Sequence, residues 1–172
     1  LTVITASELA ERLVERQNFV LGEVARLLKL EREAREQVSG LEIQLREVGR
    51  LNKQDLDHLQ GAELTQRQID RGLVGPAEGV ASQVAGLLDE LTNNKVDSPD
   101  VERHMRRLLS EIDRLGKDEL PPIGRELTSA LKSSQAGDKP GQNQPAARAL
   151  AAAGKHQDEV IRSLEQMLGE LS

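Results

Sequence analysis

From Leu13 the apolar positions fall into a repeat: Leu13, Val20, Leu27, Ala34, Leu41 and Val48 recur every seven residues. Ala10, Gln17, Val24, Glu31, Val38 and Leu45 form a companion row. An apolar period of 3.5 sustained over several heptads predicts left-handed coiled-coil packing of a long helix. Thr5-Ala6-Ser7-Glu8 reads as a capping box at its start, the Thr hydroxyl and the Glu three residues on satisfying backbone N–H groups. With no proline before Pro76, the pattern predicts one helix over about 6–72, with a stutter or bend near Gly49 before Leu56, Leu59, Ala62, Ile69 and Leu73 resume it. Between residues 9 and 30 the stripe widens through Leu9, Val14, Leu21, Leu28 and Leu30, enough to meet more than one neighbouring helix. Glu8/Arg12, Glu31/Arg35, Glu42/Arg46 and Glu63/Arg67 lie four apart in the favourable order and read as exposed pairs.

Beyond the first helix the punctuation is stronger. "RGLVGPAEG" (71–79) is a firm break, with Gly72 or Gly75 suited to the helix end and Pro76 to the first turn of the next helix. A helix over about 76–93 carries Val80, Val84, Leu87, Leu88 and Leu91; Asp97 or Ser98 then caps a helix over 98–134, with Pro99 at its first position. Pro121-Pro122 must kink or interrupt that helix, because each ring removes a donor and clashes with the preceding turn. Residues 135–144 read as a flexible linker without apolar anchors, and 145–172 as a C-terminal amphipathic helix with Val160, Leu164, Met167 and Leu171 stepping by four, three and four. The expected fold is therefore all-α: an elongated helical bundle or coiled coil over 1–134, with one long N-terminal helix and three further helices in the chain.

Composition supports a thin build. Ala, Glu, Lys, Leu and Arg make up about half of the 172 residues, as in long helices and coiled coils. Phe19 is the single aromatic, so a thick globular core lacks its usual large side chains. The net charge of −6 is spread along the chain as solvated helix faces. There is no cysteine to form disulfides, and no apolar run approaches the roughly 18–20 residues of a membrane span. The chain opens on Leu1 and its last residues are still amphipathic, so a segment of a larger protein is expected.

Candidate chemistry is sparse. Asp55 and His58, three apart, resemble half of a carboxylate–histidine metal pair, but His104 and His156 have no acid three residues before them, so no metal or other cofactor is expected. Gly72, Gly75 and Gly79 lack the strand and the Lys-Ser/Thr ending of a phosphate loop. Arg103, Arg106 and Arg107 form a basic knot, offset by Glu102, Glu111 and Asp113 and without aromatics to stack bases, which argues against nucleic acid. No motif pairs a nucleophile with a base, so the chain is not expected to be an enzyme or to insert in a membrane.

The ending "KHQDEVIRSLEQMLGELS" (155–172) resembles helical segments of large, uncharacterised bacterial membrane-anchored coiled-coil proteins. That resemblance implies an extracytoplasmic structural segment and carries over no functional residues. The leading expectation is a non-enzymatic scaffold or self-association segment. Its interaction seam is Leu13, Val20, Val24, Leu27, Ala34, Val38, Leu41, Leu45 and Val48, and its partner a second copy or another helical protein. The alternatives are an adaptor taking a partner helix along that 13–48 seam and a metal-binding bundle using Asp55 and His58. A second helix of some 18 residues covers only about 30 Å of a first helix of about 100 Å, so either the first helix folds back near Gly49 or something outside the chain covers the seam.

Overall fold

The computed structural model describes residues 5–96, 98–136 and 143–171, and these are all-helical. The first helix, α1 (Ala6–Val48), opens on the expected capping box: the Thr5 hydroxyl accepts from the Glu8 N–H at 3.1 Å, and the Glu8 carboxylate accepts from the Thr5 N–H at 3.3 Å. It stops where Gly49 takes φ 85°, a left-handed conformation open to glycine without a side-chain clash. Asn52 then caps α2 (Lys53–Val74) in a reciprocal pair with Asp55, at 2.8 and 2.9 Å. The single helix expected over 6–72 is thus two, folded back on each other. Counting the continuous helical stretch over 99–136 as one, the described chain has five helices, four after the first in place of three.

The break at 71–79 also shifts. Residues 76–79 form a turn, held by the Ser82 hydroxyl donating to the Gly75 and Pro76 carbonyls, and α3 spans Val80–Asn93. A Cβ on Gly79 would lie 2.6 Å from the Gly75 nitrogen, which explains glycine there. Ser98 occupies the N-cap position of α4 (Pro99–Arg114), without a side-chain cap bond; Asp97, the other expected cap, lies outside the described residues.

Pro121 and Pro122 do not break the helix that follows. A π turn, Leu115–Glu119, links α4 to α5 (Leu120–Ala136), and the Leu120 N–H reaches back five residues to the Leu115 carbonyl. The wider turn loosens the backbone where the two rings would otherwise collide with the preceding carbonyls. Residues 135–136 complete α5 and 143–144 begin α6 (Asn143–Leu171), so the linker expected over 135–144 is helical at both edges; its centre, 137–142, lies outside the described residues.

Cross-helix pairs fix the topology. Arg35 with Asp158 and Arg32 with Glu165 set α6 antiparallel to α1, Glu111 with Ser163 and Glu119 with His156 set it antiparallel to the α4–α5 rod, and α2 runs between α1 and α5. The result is an up-down-up-down bundle of α1, α2, α4–α5 and α6. In it α3 continues the line of α2 along the first half of α1, where Arg12 and Arg16 grip Glu90 at 3.3 and 2.6 Å.

The seam is filled from within. Val20, Val24, Leu27, Ala34, Val38, Leu41 and Leu45 are all buried against the chain's own helices, Leu13 is half-buried, and Val48 is exposed at the end of α1, just before the turn. Leu→Ala at Leu27, which is fully buried, should cost about 2–5 kcal/mol, whereas Val14→Ala, at a side chain 54% exposed, should stay within about 0.5 kcal/mol. Urea unfolding of the two variants measures the difference; equal costs would mean that the register of α1 is misplaced. Gly49→Ala should lose roughly 1 kcal/mol in the same assay, since alanine must enter the left-handed region.

Candidate functional site: a buried polar layer between three helices

Glu31 belongs to the companion row of α1, so helical periodicity turns it toward the core. The structure buries it completely, which corrects its reading as the exposed partner of Arg35. Arg35 pairs instead with Asp158 at 2.8 Å and Glu42 at 3.5 Å. Opposite Glu31, the row Leu59, Ala62, Gln66, Ile69, Leu73 of α2 and the row Leu150, Ala153, Gln157, Val160, Leu164 of α6 each carry one glutamine among apolar residues at three-four spacing. The three polar side chains meet. Gln66 Nε2 donates to Glu31 Oε1 at 3.2 Å, and Gln157 Nε2 donates to Gln66 Oε1 at 3.3 Å. Sequence reading passed over Gln66 and Gln157, although a polar residue inside a 3-4 row is the signal that finds them.

The layer is short of donors. Glu31 Oε2 and Gln157 Oε1 are buried with no hydrogen-bond partner. Burial pushes the Glu31 carboxyl up to about 8, with the Gln66 hydrogen bond pulling the other way. At neutral pH Glu31 is therefore mainly the uncharged acid, able to donate through its O–H. Gln66 also lines a cleft of about 270 Å³ between α2 and α5, beside Pro121 and Thr128. Asp70, on the same cleft, is raised by its own burial.

A second polar group stitches the α4–α5 rod to α6. Glu111 Oε1 accepts from Arg114 Nη2 at 2.6 Å and from the Ser163 hydroxyl at 2.8 Å. The Arg114 hydrogen bond holds the Glu111 carboxyl below its ordinary range against the opposing effect of burial, and Glu111 in turn raises Arg114. In the π turn, Glu119 meets His156 Nδ1 at 2.7 Å and Arg114 at 3.6 Å.

The other sequence candidates fall elsewhere. Asp55 is taken up in capping α2, and His58 and His104 are exposed. No group of three or more possible metal-ligating side chains occurs among the described residues. Arg103, Arg106 and Arg107 are matched by Asp100, Glu102 and Glu170, and Glu63 pairs with Arg67 at 3.8 Å as its spacing suggests. No described helix is long and apolar enough to cross a membrane. No protein-family model, curated protein or solved structure matches the chain.

Gln66→Leu strands two buried polar side chains and should cost about 1–3 kcal/mol, while replacing Glu31, Gln66 and Gln157 together by leucine should recover most of that loss. A triple variant less stable than the single one in urea unfolding would show that the layer is held by more than its own hydrogen bonds. The pH dependence follows from the folded Glu31 value of about 8 against an ordinary value of 4.5. Between those limits the folded state keeps a proton that the unfolded chain has released, so stability is full below the lower value and falls as pH rises to the upper one. Wild type should weaken progressively over that window, whereas Glu31→Gln should stay level, as read by unfolding free energies at several pH values.

Proposed function

We propose that this chain is a non-enzymatic helical scaffold segment, a stiff module that spaces or joins other parts of a larger protein. The observation carrying this reading is how its buried polar groups are used. The Glu31–Gln66–Gln157 layer and the Glu111–Arg114–Ser163 group each bind helices to one another, and such internal polar links favour one register over its alternatives. A cross-braced bundle whose first helix runs about 64 Å suits a spacer. Small-angle scattering should report one elongated, rigid particle; a broad ensemble of sizes would overturn the reading.

Self-association or adaptor binding is the second reading, and it moves along the chain. Because the seam from Val20 to Leu45 is covered internally, a partner has more to gain on the first part of α1. There Val14 and Phe19 are each more than half exposed, and no described residue before Val20 is buried. If that surface joins copies, Val14→Lys with Phe19→Lys should turn an oligomer into a monomer in light scattering while circular dichroism is unchanged. Val38→Lys with Leu41→Lys should instead unfold the bundle, since both side chains are buried within the chain.

A further inference from the structure

Glu31 is the one fully buried carboxylate among the described residues, and no cation offsets it. On its own helix, Arg32 pairs with Glu165 and Arg35 with Asp158 and Glu42. On α2, Arg67 is held by Glu63, and Asp70 adds a further acid; on α6, His156 is held by Glu119, and Asp158 is taken by Arg35. The core side chains of α5 at this level, Ile123 and Leu127, are apolar, while Thr128 is spent on Glu63. A proton on Glu31 Oε2 turns that oxygen into a donor, in a layer whose unpaired buried atoms are both acceptors. Losing it leaves a bare charge sealed among three helices, and such a charge is relieved by admitting water.

We propose that the Glu31–Gln66–Gln157 layer is a proton-operated latch that holds α6 on the bundle, closed while Glu31 carries its proton and opened when the proton leaves. The choice of α6 over α2 follows from how each is anchored. α2 is tied to α1 by the tight turn at 49–52 and buries Leu59, Ile69 and Leu73. The half of α6 before the layer buries one large side chain, Leu150, and otherwise packs through Ala146, Ala149, Ala153 and Gly154, which bury little area, and Gln157 and Ser163 interrupt its apolar face. Gly154 lies close against the Arg35 guanidinium, where an added Cβ would meet it at 2.9 Å, so there is no room for a larger apolar side chain at this point of α6. The cleft lined by Gln66 brings solvent close to the layer and gives the proton a short way out. Opening would uncover the α1 seam that the heptad pattern marks.

Amide hydrogen exchange of the whole chain from about pH 6 to about pH 9.5, corrected for the intrinsic pH dependence of exchange, tests the latch. One proton lost on opening makes the α6 opening equilibrium rise up to about tenfold per pH unit above the Glu31 midpoint of the open form, levelling as the closed form also deprotonates. Exchange in α6 should therefore rise with pH ahead of α2 in wild type and stay flat in Glu31→Gln, whose amide supplies a donor without titrating. A pH-independent α6 in wild type, or the same response in Glu31→Gln, would overturn the proposal. If that variant fails to fold, carbon-detected NMR of the wild-type Glu31 carboxyl serves instead. Titration far above the exposed glutamates, in step with α6 exchange, upholds the latch, and titration together with them defeats it.

Discussion

The left-handed backbone at Gly49 is the constraint on which the rest of the fold depends. A helix with an apolar row as long as that of α1 needs cover, and the chain supplies it by reversing at once. The conformation costs glycine little and other residues more, and the Asn52–Asp55 capping box lets the returning helix begin within a few residues. Once α2 lies along α1, Gly72 can approach Leu27 so closely that a Cβ there would sit 2.6 Å from a Leu27 methyl. That contact sets the spacing of the pair, and α5 and α6 close the remaining sides.

Inside this frame the polar layer trades strength for register. A leucine at each of the three positions would remove a buried acid and two amides whose desolvation the hydrogen bonds only partly offset. What the layer supplies is position: sliding α2 or α6 by one turn would leave an amide against leucines, a far larger penalty than a poorly fitted methyl. The π turn and the Glu111–Arg114–Ser163 group perform the same service where α6 meets the α4–α5 rod.

Much of this was legible in the sequence, for physical reasons. The capping box at Thr5, the α1 core between Val20 and Leu45 and the break near Gly75 follow from local chemistry and periodicity, and the structure contains each, while Leu13 and Val48 at the ends of the row stay outside the core. The reversal at Gly49 was not, because an apolar row that slips and resumes looks alike whether the helix bends or doubles back; only the length left uncovered hinted at it. Glu31 shows a different limit. Its spacing to Arg35 suggested an exposed pair and its heptad position a buried one, and tertiary packing decided for the second. Gln66 and Gln157 stood in plain 3-4 rows, but their meaning depended on which helices became neighbours. Pro121-Pro122 pointed to a kink because an α-helix cannot hold them comfortably, and a local change of helix type removed the conflict.

That change of helix type also acts on chain length. Along the α4–α5 rod the buried residues Met105, Leu108, Ile112, Leu115, Leu120, Ile123, Leu127 and Ala130 step by three or four everywhere except across the π turn, where the step is five. The surplus residue is taken up in the widened loop, so the apolar edges before and after it still face the same neighbours. The rod therefore contains a slack joint: a single peptide unit is accommodated there without rotating either half, and the phase between the two ends of a long helix is set by how tightly one turn is wound.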